Sequence, residues 1–163
     1  MKPFGFPDPV NETSARVVAG GVVAMTASTI LLDQPLLLLP LTYGFAARVA
    51  TGPTLSPLGQ LATKVVTPRI NVEHRYVPGP PKRLAQGIGL ALSGSACLLH
   101  FGFKKKAAAY RVLGVLLAAA FLESAFGICL ACRAFPFLVR AGLVPESACE
   151  ECADIWSRGR PPA

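Results

Sequence analysis

Between Leu84 and Phe103 the chain runs for twenty residues without a formally charged side chain, His100 being its one titratable group. About 20 apolar residues are what an α-helix needs to cross a bilayer core about 30 Å thick. Inside lipid the backbone has to satisfy its own N–H and C=O groups, so such a segment is a helix. Three more apolar segments accompany it. One runs from about Ala15 to Leu32, bounded by Arg16 and Asp33, and a second from Pro35 to Ala50 carries Arg48 near its end. The last lies between Arg111 and Arg133, with Glu123 as the only charge inside it. The pattern predicts helices over about 15–32, 35–50, 84–103 and 107–131. The expected fold class is all-α: an integral membrane four-helix bundle of two helical hairpins, with short amphipathic surface helices.

Composition agrees with a lipid-covered chain. Of 163 residues, 52% are hydrophobic and 15% charged, against roughly 25% charged in a soluble domain. That charge is too sparse to hydrate a globule of this size, so the bilayer is the first expected partner. A net charge of +7 could serve nucleic acid, but the basic residues are scattered between apolar segments and form no patch on one element. No nucleic-acid partner is expected. Short helices leave room for homo- or hetero-oligomerisation.

The distribution of cations gives an orientation. The N-terminus, the loop around residues 48–83 and the C-terminus hold twelve Lys and Arg, whereas the segment Lys104–Arg111 holds four and the Asp33 turn none. The excess favours a multi-pass protein of the cell membrane with both termini cytoplasmic, Lys104, Lys105 and Lys106 being the contrary signal. The opening M-K-P-F-G-F-P-D-P-V lacks the compact basic region of a secretory signal. The first apolar run therefore reads as a retained helix.

Two stretches suit the membrane surface. In S-P-L-G-Q-L-A-T-K-V-V, Ser56 is placed to cap and Pro57 to open a helix over about 57–66. After it, V-P-G-P-P-K-R at 77–83 reads as a rigid extended entry to the next helix. A-F-P-F-L-V-R, with Arg133 and Arg140 among Phe135, Phe137 and Leu138, predicts an interfacial helix over about 133–142. Residues 143–163 are expected to form a cytoplasmic tail that carries cysteines.

The chemistry-bearing pattern is C-x2-C-x16-C-x2-C, made by Cys129, Cys132, Cys149 and Cys152. The spacing admits a tetrahedral zinc site of four thiolates. It equally admits two redox dithiols. A reactive thiol needs a helix N-terminus or nearby cations; Gly127 could break the preceding helix so that Cys129 and Cys132 open the next, beside Arg133. Glu150 and Glu151 would oppose thiolate formation in the other pair. On that reading Cys129 attacks, Cys132 resolves, and Cys149 and Cys152 relay electrons. The third reading is an inert structural set. Zinc is the one cofactor the spacing admits. Cys97 falls outside the cluster and reads as core packing, and His100 and His74 read as interfacial and solvated residues.

Glu123 is the other conspicuous group. A carboxylate in an apolar helix is costly and should have a partner inside the bundle. Counting antiparallel around residue 107 places it level with Ser93, with Arg48 as the alternative partner, in either a proton relay or a structural network.

Several of these residues together resemble a family of small bacterial membrane proteins, domain of unknown function 4395. The likeness is carried by P-D-P-V-N at 7–11, Arg16, R-V-A-T-G-P-T-L-S-P-L at 48–58, P-G-P-P-K-R-L-A-Q-G-I-G at 78–89 and L-E-S-A-F-G-I-C-L-A-C at 122–132. It runs from about residue 7 to 155. Its pattern would mark Asn11, Arg48, Ser56, Pro57, Lys82, Arg83, Glu123, Cys129 and Cys132; Ala131 stands where the family often has Gly. The resemblance supplies no mechanism. Members occurring near thioredoxin-like and sulfurtransferase proteins point toward such a partner and toward thiol or sulfur chemistry; Cys129, Cys132 and Glu123 are the candidate catalytic residues.

Overall fold

Asn11 starts the first helix: its side-chain Oδ1 accepts from the backbone N–H of Thr13 at 2.9 Å and of Ser14 at 3.5 Å. Two of the donors left over at a helix N-terminus are thereby satisfied. The computed structural model describes residues 9–70 and 75–142. Helix α1 runs Glu12–Leu31 and ends in a turn where Asp33 takes a positive φ of 52°. A 3-10 turn, Pro35–Leu37, leads into α2, Leu38–Thr51, which Gly52 stops. Ser56 then caps α3, Pro57–Gln60, by accepting from the N–H of Gly59 at 3.2 Å. A π-helical stretch, Leu61–Val66, and a 3-10 turn, Thr67–Arg69, continue it.

The next helix starts earlier than the sequence suggests. α4 runs Gly79–Cys97 and continues as a π-helical turn over Leu98–Gly102, so Pro80, Pro81, Lys82 and Arg83 are helical, not an extended entry beginning a helix at 84. Proline fits the first turn because its missing N–H would have had no partner there. α5 runs Lys106–Phe126 and stops five residues short of the expected 131. Gly127 takes the left-handed conformation at φ 68°, its N–H bonds the Glu123 carbonyl at 3.0 Å, and that of Ile128 bonds Leu122 at 3.2 Å. Helix α6, Leu130–Arg140, therefore begins three residues before the expected 133 and takes in Cys132. A two-residue antiparallel ladder of β1, Val10–Asn11, and β2, Tyr76–Val77, is the one departure from an all-helical fold among the described residues.

α1 lies along α5, and α2 along α4, with α4 also against α5; α1 and α2, neighbours in sequence, share much less. The core is Val22, Leu38, Leu41, Phe45, Ala96, Leu113 and Leu116. Outside it, Leu31, Leu36, Leu98, Phe103, Val115 and Phe126 are all at least 60% exposed. Three helices, over Glu12–Leu31, Gly79–Gly102 and Lys106–Phe126, are long and apolar enough to cross a membrane.

One close approach sets the α2–α4 spacing. A Cβ added at Gly89 of α4 would come within 2.2 Å of the Phe45 ring edge on α2. Gly89→Ala should destabilise the protein by about 1–3 kcal/mol, and Phe45→Leu in the same chain should recover part of that loss. Unfolding of both variants by a denaturing detergent, compared with the wild type, checks the coupling.

Candidate functional site

The helix break at Gly127 makes the site. Because α5 stops there, Ile128 and Cys129 run extended and α6 starts at the same end of the fold. Cys129 is the N-cap residue of α6, and its Sγ accepts from the backbone N–H of Cys132 at 3.4 Å. A thiolate at that position faces the positive end of a helix dipole. The side chain is buried, at 8% exposure, and Cys132 is half-buried. Phe135 anchors α6 from below by packing on Leu84 of α4.

Beneath the thiols lies a buried ion pair. Lys82, in the first turn of α4, reaches Glu123, in the last turn of α5, with Nζ 2.6 Å from Oε1 and side-chain exposures of 6% and 15%. The partner of Glu123 is thus Lys82, in place of the expected Ser93 or Arg48. The turn between α4 and α5 centres near Lys104 and not 107, which brings residue 123 level with about residue 85. From there the four-carbon stem of Lys82 covers the remaining distance.

The two thiols are electrostatically unequal. A hydrogen bond from the Cys132 thiol holds Cys129 below the ordinary thiol range, and the Lys82 ammonium and the Cys132 N–H act in the same direction. Burial and the Glu123 carboxylate oppose them. Cys132 is pushed up, first by donating to Cys129, then by burial and by the Cys129 charge.

The other marked residues serve elsewhere. Arg48 is buried beside α4: Nε donates to Gln86 at 2.7 Å, Nη1 to Ser56 Oγ at 3.1 Å, and the guanidinium lies 4.6 Å from the centre of the Phe45 ring. Asn11, Ser56 and Pro57 start helices, and Arg83 Nε caps α2 by donating to the Val49 carbonyl at 3.1 Å. Cys97 is remote from the pair, beside Thr42 Oγ1 at 3.3 Å. Cys149, Cys152, His74 and the expected tail lie outside the described residues. Among the described residues no group of three or more His, Cys, Asp or Glu is placed to hold a metal ion.

Arg16 belongs to the site and was not singled out for it. Its Nη2 donates to the carbonyls of Ser124 at 3.2 Å and Ala125 at 3.0 Å, capping α5 just before the break. The available signal was a cation in the first turn of an apolar helix, which suits helix carbonyls left without partners nearby.

Above the thiols opens a cleft of about 800 Å³, lined by Cys129, Cys132 and Lys82 together with Glu12, Arg75, Arg133, Arg140 and apolar walls.

Fold and site together define a class: a helical protein with three helices long enough to cross a membrane and a paired dithiol where one of them breaks. The chain belongs to the family described as Domain of unknown function (DUF4395), which matches residues 10–140. The match takes in Lys82, Glu123, Cys129 and Cys132 and ends before Cys149. No curated protein and no solved structure matches the chain significantly.

Two outcomes follow from this geometry. Alkylation by iodoacetamide, followed peptide by peptide against pH, should give Cys129 a midpoint below the free-thiol value of about 8.5 and Cys132 one above it; Cys132→Ala should raise the Cys129 midpoint. Lys82→Met should cost about 3–5 kcal/mol by leaving Glu123 buried and unpaired. Lys82→Met combined with Glu123→Gln should regain much of that, which detergent-unfolding curves of the single and double variants will measure.

Proposed function

We propose that the protein is a multi-pass component of the cell membrane, a four-helix bundle with cytoplasmic termini, whose Cys129–Cys132 pair carries out thiol–disulfide exchange or sulfur transfer with a thioredoxin-like or sulfurtransferase partner. The observation that carries this reading is the placement of Cys129 as the N-cap of α6, its Sγ accepting from the Cys132 N–H at 3.4 Å, with Cys132 in the first turn of the same helix. A low-lying thiolate attacks, and a protonated neighbour waits to resolve.

The Cys129 thiolate attacks one sulfur of a partner disulfide, forming a mixed disulfide and releasing one partner thiolate. Cys132 then attacks Cys129 Sγ as its proton passes to the departing second partner thiolate. The outcome is a Cys129–Cys132 disulfide and a partner dithiol, with two electrons moved; the reverse sequence oxidises the partner. In sulfur transfer, the Cys129 thiolate attacks the outer sulfur of a persulfide on the sulfurtransferase partner, breaking its S–S bond and releasing the partner thiolate, and an acceptor thiolate then takes that sulfur from the Cys129 persulfide, releasing the Cys129 thiolate. Lys82 stabilises the Cys129 thiolate, while Glu123 limits that stabilisation and keeps Lys82 in place. Cys149 and Cys152 would serve as a second dithiol that exchanges with the first.

The orientation rests on the cations that gather at the cysteine end. Arg16, Arg48, Arg75, Lys82, Arg83, Arg133 and Arg140 are there, against Lys104, Lys105, Lys106 and Arg111 at the opposite end.

The alternative assignment, a membrane scaffold with zinc held by Cys129, Cys132, Cys149 and Cys152, shares the same thiols and is decided by the same experiment. With an oxidised thioredoxin-like protein, Cys132→Ser should accumulate a mixed disulfide through Cys129, and Cys129→Ser should accumulate none. One zinc per chain with those four thiols protected from alkylation would overturn the redox reading in favour of the scaffold.

A further inference from the structure

The cleft above the thiols has chemistry that a protein partner alone does not use. Its volume, about 800 Å³, suits an organic molecule of moderate size, since small-molecule pockets run about 300–1,000 Å³. A lone inorganic anion would fill little of it. Arg75, Arg133 and Arg140 line it from exposed positions, and among the described residues none of the three is in an ion pair. Lys82 also lines it but is taken by Glu123, so among the described residues Glu12 is the one carboxylate lining it against three open guanidinium groups. Phe126, Ile128 and Phe137 supply apolar wall, and Cys129 and Cys132 share the same space.

We propose that this cleft binds a small anionic disulfide, one whose carboxylates pair with Arg75, Arg133 and Arg140 while its sulfurs meet Cys129. Guanidinium groups recognise carboxylates through paired N–H donors. The apolar wall takes the carbon skeleton, and the reactive thiol selects a ligand that has sulfur. The inference deepens the thiol-exchange reading and rests on it for the reaction, though not for the binding. The Cys129 thiolate breaks the ligand's S–S bond, forms a mixed disulfide and releases one ligand thiolate. Cys132 attacks Cys129 Sγ, its proton going to the second ligand thiolate, and the ligand leaves as two thiols. The dithiol form of the thioredoxin-like partner then returns two electrons to the Cys129–Cys132 disulfide. The small disulfide and the protein partner are two ends of one relay.

The test uses the full-length reduced protein in phosphatidylcholine nanodiscs at low ionic strength. Oxidation of Cys129 and Cys132 by oxidised glutathione, which is anionic, is compared with oxidation by bis(2-hydroxyethyl) disulfide, which is neutral. The ratio of the two rate constants should fall about tenfold in the Arg75→Gln/Arg133→Gln variant, the neutral reagent in the same sample correcting for any change in thiol reactivity or folding. S-methylglutathione, which cannot exchange, should protect Cys129 from iodoacetamide in the wild type and not in the variant. A ratio unchanged in the variant, with no protection, overturns the binding site and leaves thiol exchange standing. Protection without oxidation by either disulfide keeps the site and overturns the exchange reading. Loss of protection when phosphatidylglycerol replaces phosphatidylcholine would make a lipid headgroup the occupant and overturn the proposal.

Discussion

The ion pair between Lys82 and Glu123 is the constraint on which the cysteine end depends. Two charges taken out of water cost several kcal/mol each, and their attraction offsets this only with close geometry. At 2.6 Å the pair has that geometry, and it ties the first turn of α4 to the last turn of α5. Sliding α4 along α5 would stretch or part the charges, so the pair opposes such movement close to where Gly127 ends α5. Arg16 works on the same few residues from α1 by holding the carbonyls of Ser124 and Ala125. Three helices converge on one turn of α5, and the thiols sit on the segment that follows.

That convergence also shapes the electrostatics. Lys82 beside Cys129 favours the thiolate, and low-pKa thiolates are poorer nucleophiles than their charge suggests. Glu123 removes part of the lysine's influence, so the largest downward pull on Cys129 comes from Cys132.

The apolar spans were legible because their signal is length and composition, which survive without knowledge of packing. The cap at Ser56 was similarly open to reading, since a side-chain acceptor three residues before a donor is a local matter, whereas Asn11, marked through the family resemblance alone, caps a helix that starts three residues before the expected Ala15. Boundaries were less so. P-G-P-P-K-R has the composition of an extended linker, and it becomes helical because a first turn tolerates proline and because Lys82 gains a partner by being there. Identifying that partner required the position of a turn near Lys104, and an error of three residues moved Glu123 to the wrong level. The ladder of β1 and β2 has two residues per strand and leaves no periodicity to detect. Arg16 was visible as a residue, but its acceptors are backbone carbonyls more than a hundred positions away.

The opposite end of the fold shows how differently the two faces of such a protein are fastened. There the Asp33 carboxylate accepts from Lys106 and from Tyr110, joining the α1–α2 turn to the first turn of α5. Those hydrogen bonds, Lys106 first, hold its carboxyl below the usual range, yet both members of the Asp33–Lys106 pair are more than half exposed. An exposed pair contributes little and weakens with salt. The buried pair at the cysteine end is screened far less. Helix α5 is therefore held at both ends, firmly by Glu123 and loosely by Lys106, with Val115 and Phe121 turned outward between them. Loosening of the helix packing should begin at the Asp33 turn, because the pair there is open to water and salt whereas the Lys82–Glu123 pair is not.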